Sequence, residues 1–332
     1  LGVRVQDALM GAMARALPEV VPAAGAGYVA PIVFAEPNLV SGGLKVTVIE
    51  PMVGGTGATS DSDGVNARDV VDLSNLRNNP TEIVETIAAV KIRRYGLRED
   101  SAGAGKYRGG CGKILEFEIL SPDCLTTARG MERHRFAPWG LKGGFCGAKA
   151  KVLLRPSGAE EFEDIGKIDS LKLSAGDVLQ VHTPGGAGYG DPLERDVARI
   201  EKDLAGGIIS AAAAELDYGI VLNGAGIDRK ATEKRRAQLA AGKKDEIDLH
   251  RLGPDREEYE RLWSDDLWDR FTEILYALPV PFRADVREQL WHRVDQAARN
   301  GQQVTPGMLG GYWEDIKVRY NDALGQAARG GE

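Results

Sequence analysis

The sequence predicts an α+β protein with a β-rich, glycine-rich N-terminal half, then helices, then a small helical appendage at the C-terminal end. Three observations predict it. Of 42 glycines, 28 lie before residue 191, where short β-branched runs alternate with glycine-rich turns. After Pro192 the apolar spacing changes to that of a helix, with Leu193, Val197, Ile200 and Leu204 on one face. Beyond a polar linker, Ala241 to Asp248, four of the five tryptophans (Trp263, Trp268, Trp291, Trp313) gather in the final stretch.

Element by element, Val5, Leu9, Met10, Met13 and Leu17 have helical spacing. The chain opens Leu1-Gly2-Val3 without methionine, which reads as entry into a longer polypeptide. Strands are predicted at Ile32–Phe34, Leu44–Ile49, Lys91–Leu97, Lys113–Leu120, Lys151–Leu154 and Val178–His182. Helices follow at Ile209–Leu216 and Asp228–Leu239, with Asp228 at the N-cap. Two helical runs, Asp255–Ala277 and Ala284–Arg299, are separated by Pro279 and Pro281. The expected divisions are 1–191, 192–242 and 250–332, the last a docking element because exposed tryptophans are costly and interfaces favour them.

Composition narrows the function. A chain of 332 residues buries a sizeable core without covalent staples. A net charge of -7 leaves no electrostatic footprint for nucleic acid or an anionic membrane. No apolar stretch reaches the length of a membrane helix, and no signal pattern opens the chain. Three cysteines, Cys111, Cys124 and Cys146, form no CxxC pair, which points to a reducing compartment and a cytoplasmic protein.

Four clusters could carry chemistry. Gly54-Gly55-Thr56-Gly57-Ala58 to Gly64 follows a strand; its glycines let backbone N–H groups approach an anion, but the Walker lysine and the dinucleotide spacing are missing. Asp61 and Asp63 could offer carboxylates to a hard metal, although an EF-hand would need glutamate where Asp72 stands; the other reading is a tight turn with capping aspartates. In Asn75 to Glu85, Asn79 before Pro80 should be extended and Thr81–Glu85 should begin a helical turn. Glu82 and Glu85 then share a face, as acid–base work or a simple helix start would have them.

In Gly130 to Gly140, His134 lies between Arg133 and Arg135, which would hold it neutral, and the arginines could grip a carboxylate; an ion-paired surface hairpin is the alternative. Thr183 to Pro192 outlines a phosphate loop, but Pro184 and the absent lysine favour close backbone packing. Cysteine–histidine catalysis is disfavoured by scattered histidines, and a Gly-x-Ser-x-Gly elbow is absent.

Together these clusters resemble the hydantoinase B/oxoprolinase family, the B-type subunits of ATP-dependent hydantoinases, 5-oxoprolinases and acetone or acetophenone carboxylases. The matching residues stand in the family's order: Val5-Gln6-Asp7-Ala8-Leu9, Gly54 to Ala58 with Asp63-Gly64, and Asn75 to Glu85. They continue through Tyr95 to Gly110, then Arg133 to Gly140 with Gly143-Gly144, and end at Thr183 to Pro192, a span of roughly residues 1–240. The resemblance implies a subunit of a hetero-oligomeric enzyme whose A-type partner binds ATP and Mg2+ and phosphorylates an enolate or amide oxygen. The B-type subunit then hydrolyses a cyclic amide or carboxylates a ketone-derived enol.

Full B-type subunits also carry an N-terminal Asp/His cluster for a divalent metal, and nothing like it precedes Leu1. The chain therefore reads as a split subunit or as part of a longer one, the metal held by another chain or by the N-terminal portion and none within these residues. The tail beyond about residue 245 does not match common family members and resembles a fused accessory subunit.

The resulting expectation is an amidohydrolase subunit opening a hydantoin or 5-oxoproline type of ring. A ketone carboxylase subunit and a non-catalytic scaffold are the alternatives. The residues expected to serve the site are Gly54, Gly55, Gly57, Arg77, Arg133 and Arg135 for binding an oxyanion or phosphorylated intermediate. Asp61, Asp63, Glu82 and His134 are expected to move protons.

Overall fold

A computed structural model describes residues 2–68, 76–128, 130–224, 226–242 and 248–320. The chain divides into two compact units, Leu1–Gly253 and Pro254–Glu332. In chain order the first holds α1 (Gly2–Ala14), β1 (Val29–Pro37), β2 (Leu44–Val53), α2 (Thr81–Ile87), β3 (Val90–Leu97) and β4 (Lys113–Ile119). Next come β5 (Cys124–Ala128), β6 (Gly140–Leu141), β7 (Lys151–Arg155), β8 (Glu163–Asp164), β9 (Leu171–Leu173) and β10 (Val178–His182). After a 3-10 turn at Pro192–Glu194 follow α3 (Val197–Ala205), α4 (Ala211–Tyr218), β11 (Leu222–Asn223), β12 (Gly226–Ile227), α5 (Arg229–Ala241) and β13 (His250–Arg251).

Two antiparallel sheets, β2-β1-β5-β9 and β3-β4-β10-β7-β8, share one core. Tyr28, Ile32, Phe34 and Met52 reach it from the side of the first, and Leu115, Phe117, Leu179 and Val181 from the second. Strand alternation explains which side chains go in: along β5, Cys124, Thr126 and Ala128 are buried and the residues between them are not. The α+β class and the β-to-helix order follow the sequence pattern. Asp228 caps α5 by accepting the Ala231 N–H at 2.9 Å.

Between the strands, extended glycine-rich segments lie outside any sheet ladder and exchange backbone hydrogen bonds with one another. Gly186 N–H donates to Gly110 O, Gly110 N–H to Thr56 O, and Gly103 N–H to Gly186 O, each at 2.8 Å. The glycines are there because the backbones touch. A Cβ at Gly186 would sit 1.8 Å from Thr56 O, at Gly55 1.9 Å from Gly110 O, and at Gly188 2.0 Å from Ala104 O. The close backbone packing expected of Thr183 to Pro192 extends to the loops at Gly54–Gly64, Gly103–Gly112 and Gly140–Gly147.

The second unit holds α6 (Pro254–Leu262), α7 (Asp265–Tyr276), α8 (Val280–Arg299) and α9 (Pro306–Lys317). The run expected as one helix over Asp255–Ala277 is two, because Ser264 turns extended and its hydroxyl accepts the Leu267 N–H. Trp263, 4% exposed, stacks on Trp291 at 4.6 Å between centroids and meets Phe271 edge-on, inside a core that includes Leu267, Val286, Leu290 and Leu309. Trp268, Trp291 and Trp313 pack, partly buried, against the same core. His250–Arg251, expected with this segment, instead pair with Leu141 and Gly140 in the first unit. A fragment beginning at Pro254 is expected to fold by itself, showing helical circular dichroism and a cooperative melt; a non-cooperative melt would refute an independent core. No helix among the described residues is long and apolar enough to cross a membrane.

Candidate functional site

The first unit contains a cavity of about 260 Å³ walled by α1 through Gln6, Asp7 and Met10, by the segment Pro22–Gly27, by Gly55 to Gly57 with Thr59, and by Arg68 and Trp139. Its wall is held by one carboxylate and two arginines. Asp7 pairs with Arg133 at 2.6 Å and with Arg4 at 2.9 Å. Arg133 also donates to the carbonyls of Ala26, Gly25 and Ala137, and Arg4 to that of Gly27 at 2.5 Å. The guanidinium of Arg133 is nearly enclosed, and burial pulls it down to about 10 against the opposing charge of Asp7. Its backbone adopts φ +63, uncommon outside glycine. The pairing fixes α1 to the glycine segments.

The glycine loop supplies the floor. Ala26 N–H donates to Gly55 O and Ala23 N–H to Ala58 O, both at 2.8 Å, while Gly55 N–H is taken by Pro184 O. Among the described residues, neither Gly25 nor Gly57 donates its backbone N–H, and both line the cavity. Gly54 stands behind the wall, where a Cβ would meet the Ala26 methyl at 2.3 Å.

Of the residues singled out in the sequence, Gly55, Gly57 and Arg133 are thus brought together, with Gly54 next to them. The others are elsewhere. Asp61 is exposed and accepts the Thr59 hydroxyl at 2.7 Å; the hydroxyls of Thr59 and Ser62 hold its carboxyl below the ordinary value, as in a capped turn. Asp63 accepts both Nη atoms of Arg195 at 2.7 and 2.9 Å and the Arg108 N–H at 2.9 Å. Burial would raise its carboxyl, but the hydrogen bonds and charge of Arg195, aided by Arg108, leave it lowered.

Arg77 and Glu82 are exposed and do not line that cavity; Glu82 sits in the first turn of α2, and Asn75 lies outside the described residues. Glu85 accepts the Ile92 N–H. His134 is half-buried and held below its ordinary value by burial, with Lys167 adding to that and Asp164 and Glu132 opposing. Burial, rather than its arginine neighbours, therefore keeps it neutral. Arg135 is exposed and lies over the Phe136 ring at 5.3 Å.

Sequence reasoning did not single out Gln6, Met10, Arg68 or Trp139 as lining residues, nor Asp7 as their anchor. Polar Arg4, Gln6 and Asp7 among the apolar residues of α1 were the available signal. A second polar cluster was missed as well: Lys113 and Glu50, each 3% exposed, pair at 2.9 Å, and Lys113 also donates to Tyr95 and Asn78. Burial lowers the Lys113 ammonium, with Glu50 opposing. This cluster ties the Asn78-Asn79 segment to the sheet, since Asn79 N–H donates to Glu50 at 3.0 Å. Among the described residues no group of three or more His, Cys, Asp and Glu is placed to hold a metal ion.

The sequence profile of the hydantoinase B/oxoprolinase family matches residues 1–192, which include α1, the glycine loop, Arg133 and Trp139. The chain belongs to this family. This hydantoinase B/oxoprolinase member is 34% identical over 243 residues to the beta chain of the caprolactamase of Pseudomonas jessenii, covering 70% of the chain and 41% of the relative. It is 30% identical over 222 residues to the B-type subunit of a putative D-/L-hydantoinase from a Pseudomonas strain, covering 67% and 36%.

Among solved structures, the ATP-dependent caprolactamase of P. jessenii matches with a TM-score of 0.59 at 31% identity, over 68% of this chain and 40% of that one. Nucleotide-free acetone carboxylase matches with a TM-score of 0.59 at 21% identity, over 78% and 39%, a likeness of fold. The family member described here therefore spans about two fifths of the length of these relatives.

Proposed function

We propose that this family member works within a hetero-oligomeric, ATP-dependent amidohydrolase that opens a small cyclic amide of the hydantoin, oxoproline or lactam kind. The likeness to the caprolactamase beta chain carries the reading, and the family profile match over residues 1–192 includes the segments that wall the cavity. The cavity is of a size for a small ring, with the Trp139 and Met10 side chains as apolar wall and the Gln6 amide as a polar group able to address an amide. The N–H groups of Gly25 and Gly57 and the Arg68 guanidinium are the donors in this wall suited to a developing oxyanion or a phosphorylated amide. Asp7, clamped by two arginines, acts as an anchor of that wall.

In this reading ATP and Mg2+ belong to an A-type partner, and a divalent metal belongs to another chain or to the remainder of the B-type polypeptide. The test is ATP turnover by the co-purified complex with hydantoin, 5-oxoproline or caprolactam, run against ketone plus bicarbonate. Stimulation by a cyclic amide is expected. Met10→Trp, which fills the cavity, is expected to lower kcat/KM for that amide by at least about tenfold while the melting temperature moves by only a few degrees. Stimulation by ketone and bicarbonate would favour the carboxylase reading. No stimulation by either, with Met10→Trp silent, would leave a scaffold.

A further inference from the structure

Helix α1 is apolar on both sides. Toward the protein, Ala14 is fully buried and Met10 packs on a small core with Val21, Ala58, Leu141 and Tyr189. Away from it, Val5, Leu9 and Met13 recur every fourth residue, and Leu17 continues the row past the helix end; they are 61%, 55%, 37% and 47% exposed. The polar residues Arg4, Gln6 and Asp7 lie off this row, and a contiguous exposed apolar row marks a surface that something covers.

Two further observations bear on what covers it. More than half of each family relative lies outside the stretch matched by this chain. The flanks of the same helix border two hollows: Gln6 and Met10 face the cavity described above, and Ala8, Gly11 and Ala12 face an open groove with Arg15, Trp139 and His250. Asp7 and Trp139 are common to both hollows.

We propose that the outward face of α1, Val5, Leu9, Met13 and Leu17, is the docking face for the rest of the B-type polypeptide, on the same chain or on a separate one. We also propose that the docked portion closes the cavity along α1. Docking rests on family membership and on the exposed row; closure of a substrate cavity rests in addition on the function proposed above.

The test places p-benzoylphenylalanine at position 9 of the chain produced in its source cells with its natural partners, and at position 216, 81% exposed on α4, as a control. After irradiation, the adduct peptides are sequenced by mass spectrometry. The expected adduct joins position 9 to hydantoinase B-type sequence outside these 332 residues, at least tenfold above the control position. Adding Val5→Asp and Met13→Asp should remove most of that adduct, while the isolated chain keeps its melting temperature because both positions face solvent there.

An adduct to a second copy of α1, to residues 254–320 or to an ATP-binding subunit would overturn the proposal, as would a yield no higher than the control. ATP turnover measured in parallel separates the two ideas. The expected adduct without amide-stimulated turnover removes the reaction and leaves the docking, and the reverse result removes the docking alone.

Discussion

Gly186→Ala is expected to unfold the first unit or bring it to the edge of unfolding. The new Cβ would lie 1.8 Å from Thr56 O, 2.3 Å from Thr56 C and 2.8 Å from Gly57 N, all of them main-chain atoms. A flexible side chain could swing aside; two backbones held by hydrogen bonds cannot. Separating them strains or breaks Gly186 N–H to Gly110 O and Gly103 N–H to Gly186 O, in a buried stretch that offers no replacement partners.

Overpacking costs about 1–3 kcal/mol and each buried polar group left unpaired about 1–3 more, so a loss above about 4 kcal/mol is expected from a total of about 5–15. Gly96→Ala is the control, since a Cβ there meets nothing within 4 Å and Gly96 lies in β3; its effect should stay within about 1 kcal/mol. Urea denaturation of the two variants decides the matter. If Gly186→Ala unfolds within about 1 kcal/mol of the parent protein, the interlocked glycine segments are not what holds this unit together.

That prediction marks where sequence reading succeeds and where it stops. Runs such as Val178–His182 declare themselves by β-branched residues bounded by turns, and Asp228 declares a helix start, because both signals are local. The strand Cys124–Ala128 did not: it is short, and its inward positions hold Cys124, Thr126 and Ala128, so no apolar alternation stands out. The glycines at 183–190 signalled close approach, but nothing in their spacing names Thr56, Gly103 or Gly110 as the backbones approached.

The same limit applies to the site. A carboxylate beside a glycine loop invites a chemical role, and Asp63 was read so; the arginine that engages it lies 132 residues further on. Asp7 and Arg133, 126 residues apart, are likewise a pair only in three dimensions. Gly55 and Gly57 could be picked out because a cavity wall and a tight packing contact place the same demand on sequence, the absence of a side chain.

Arg195 carries the second large effect. Its side chain is 1% exposed and bridges Asp63, through two hydrogen bonds, to Asp203 at 2.6 Å, while Arg108 meets Asp203 from the other side at 3.0 Å. Arg195→Met retains volume and removes the charge, leaving Asp203 with the Arg108 guanidinium and Asp63 with the Arg108 N–H and the half-exposed Arg199 at 3.5 Å. Breaking a buried pair by removing one partner costs about 3–5 kcal/mol, and that is the loss expected at pH 7.

The pH dependence carries the sign. In the parent protein the Asp63 carboxyl is held below its unfolded value, so its contribution is fully present above the unfolded pKa and is lost as pH falls through the folded one, below about pH 4. Without Arg195, burial loses its strongest counterweight and is expected to lift Asp63 above the unfolded value, against the remaining pull of Arg108 and Arg199. A group raised in the folded state favours folding as it takes up its proton, so the variant should recover part of its deficit between pH 7 and pH 4.5, where the parent gains nothing from Asp63. Urea midpoints at the two pH values test this. A deficit that is equal at both, or larger at pH 4.5, would mean that Asp63 stays ionised without Arg195, held by Arg199 and Arg108.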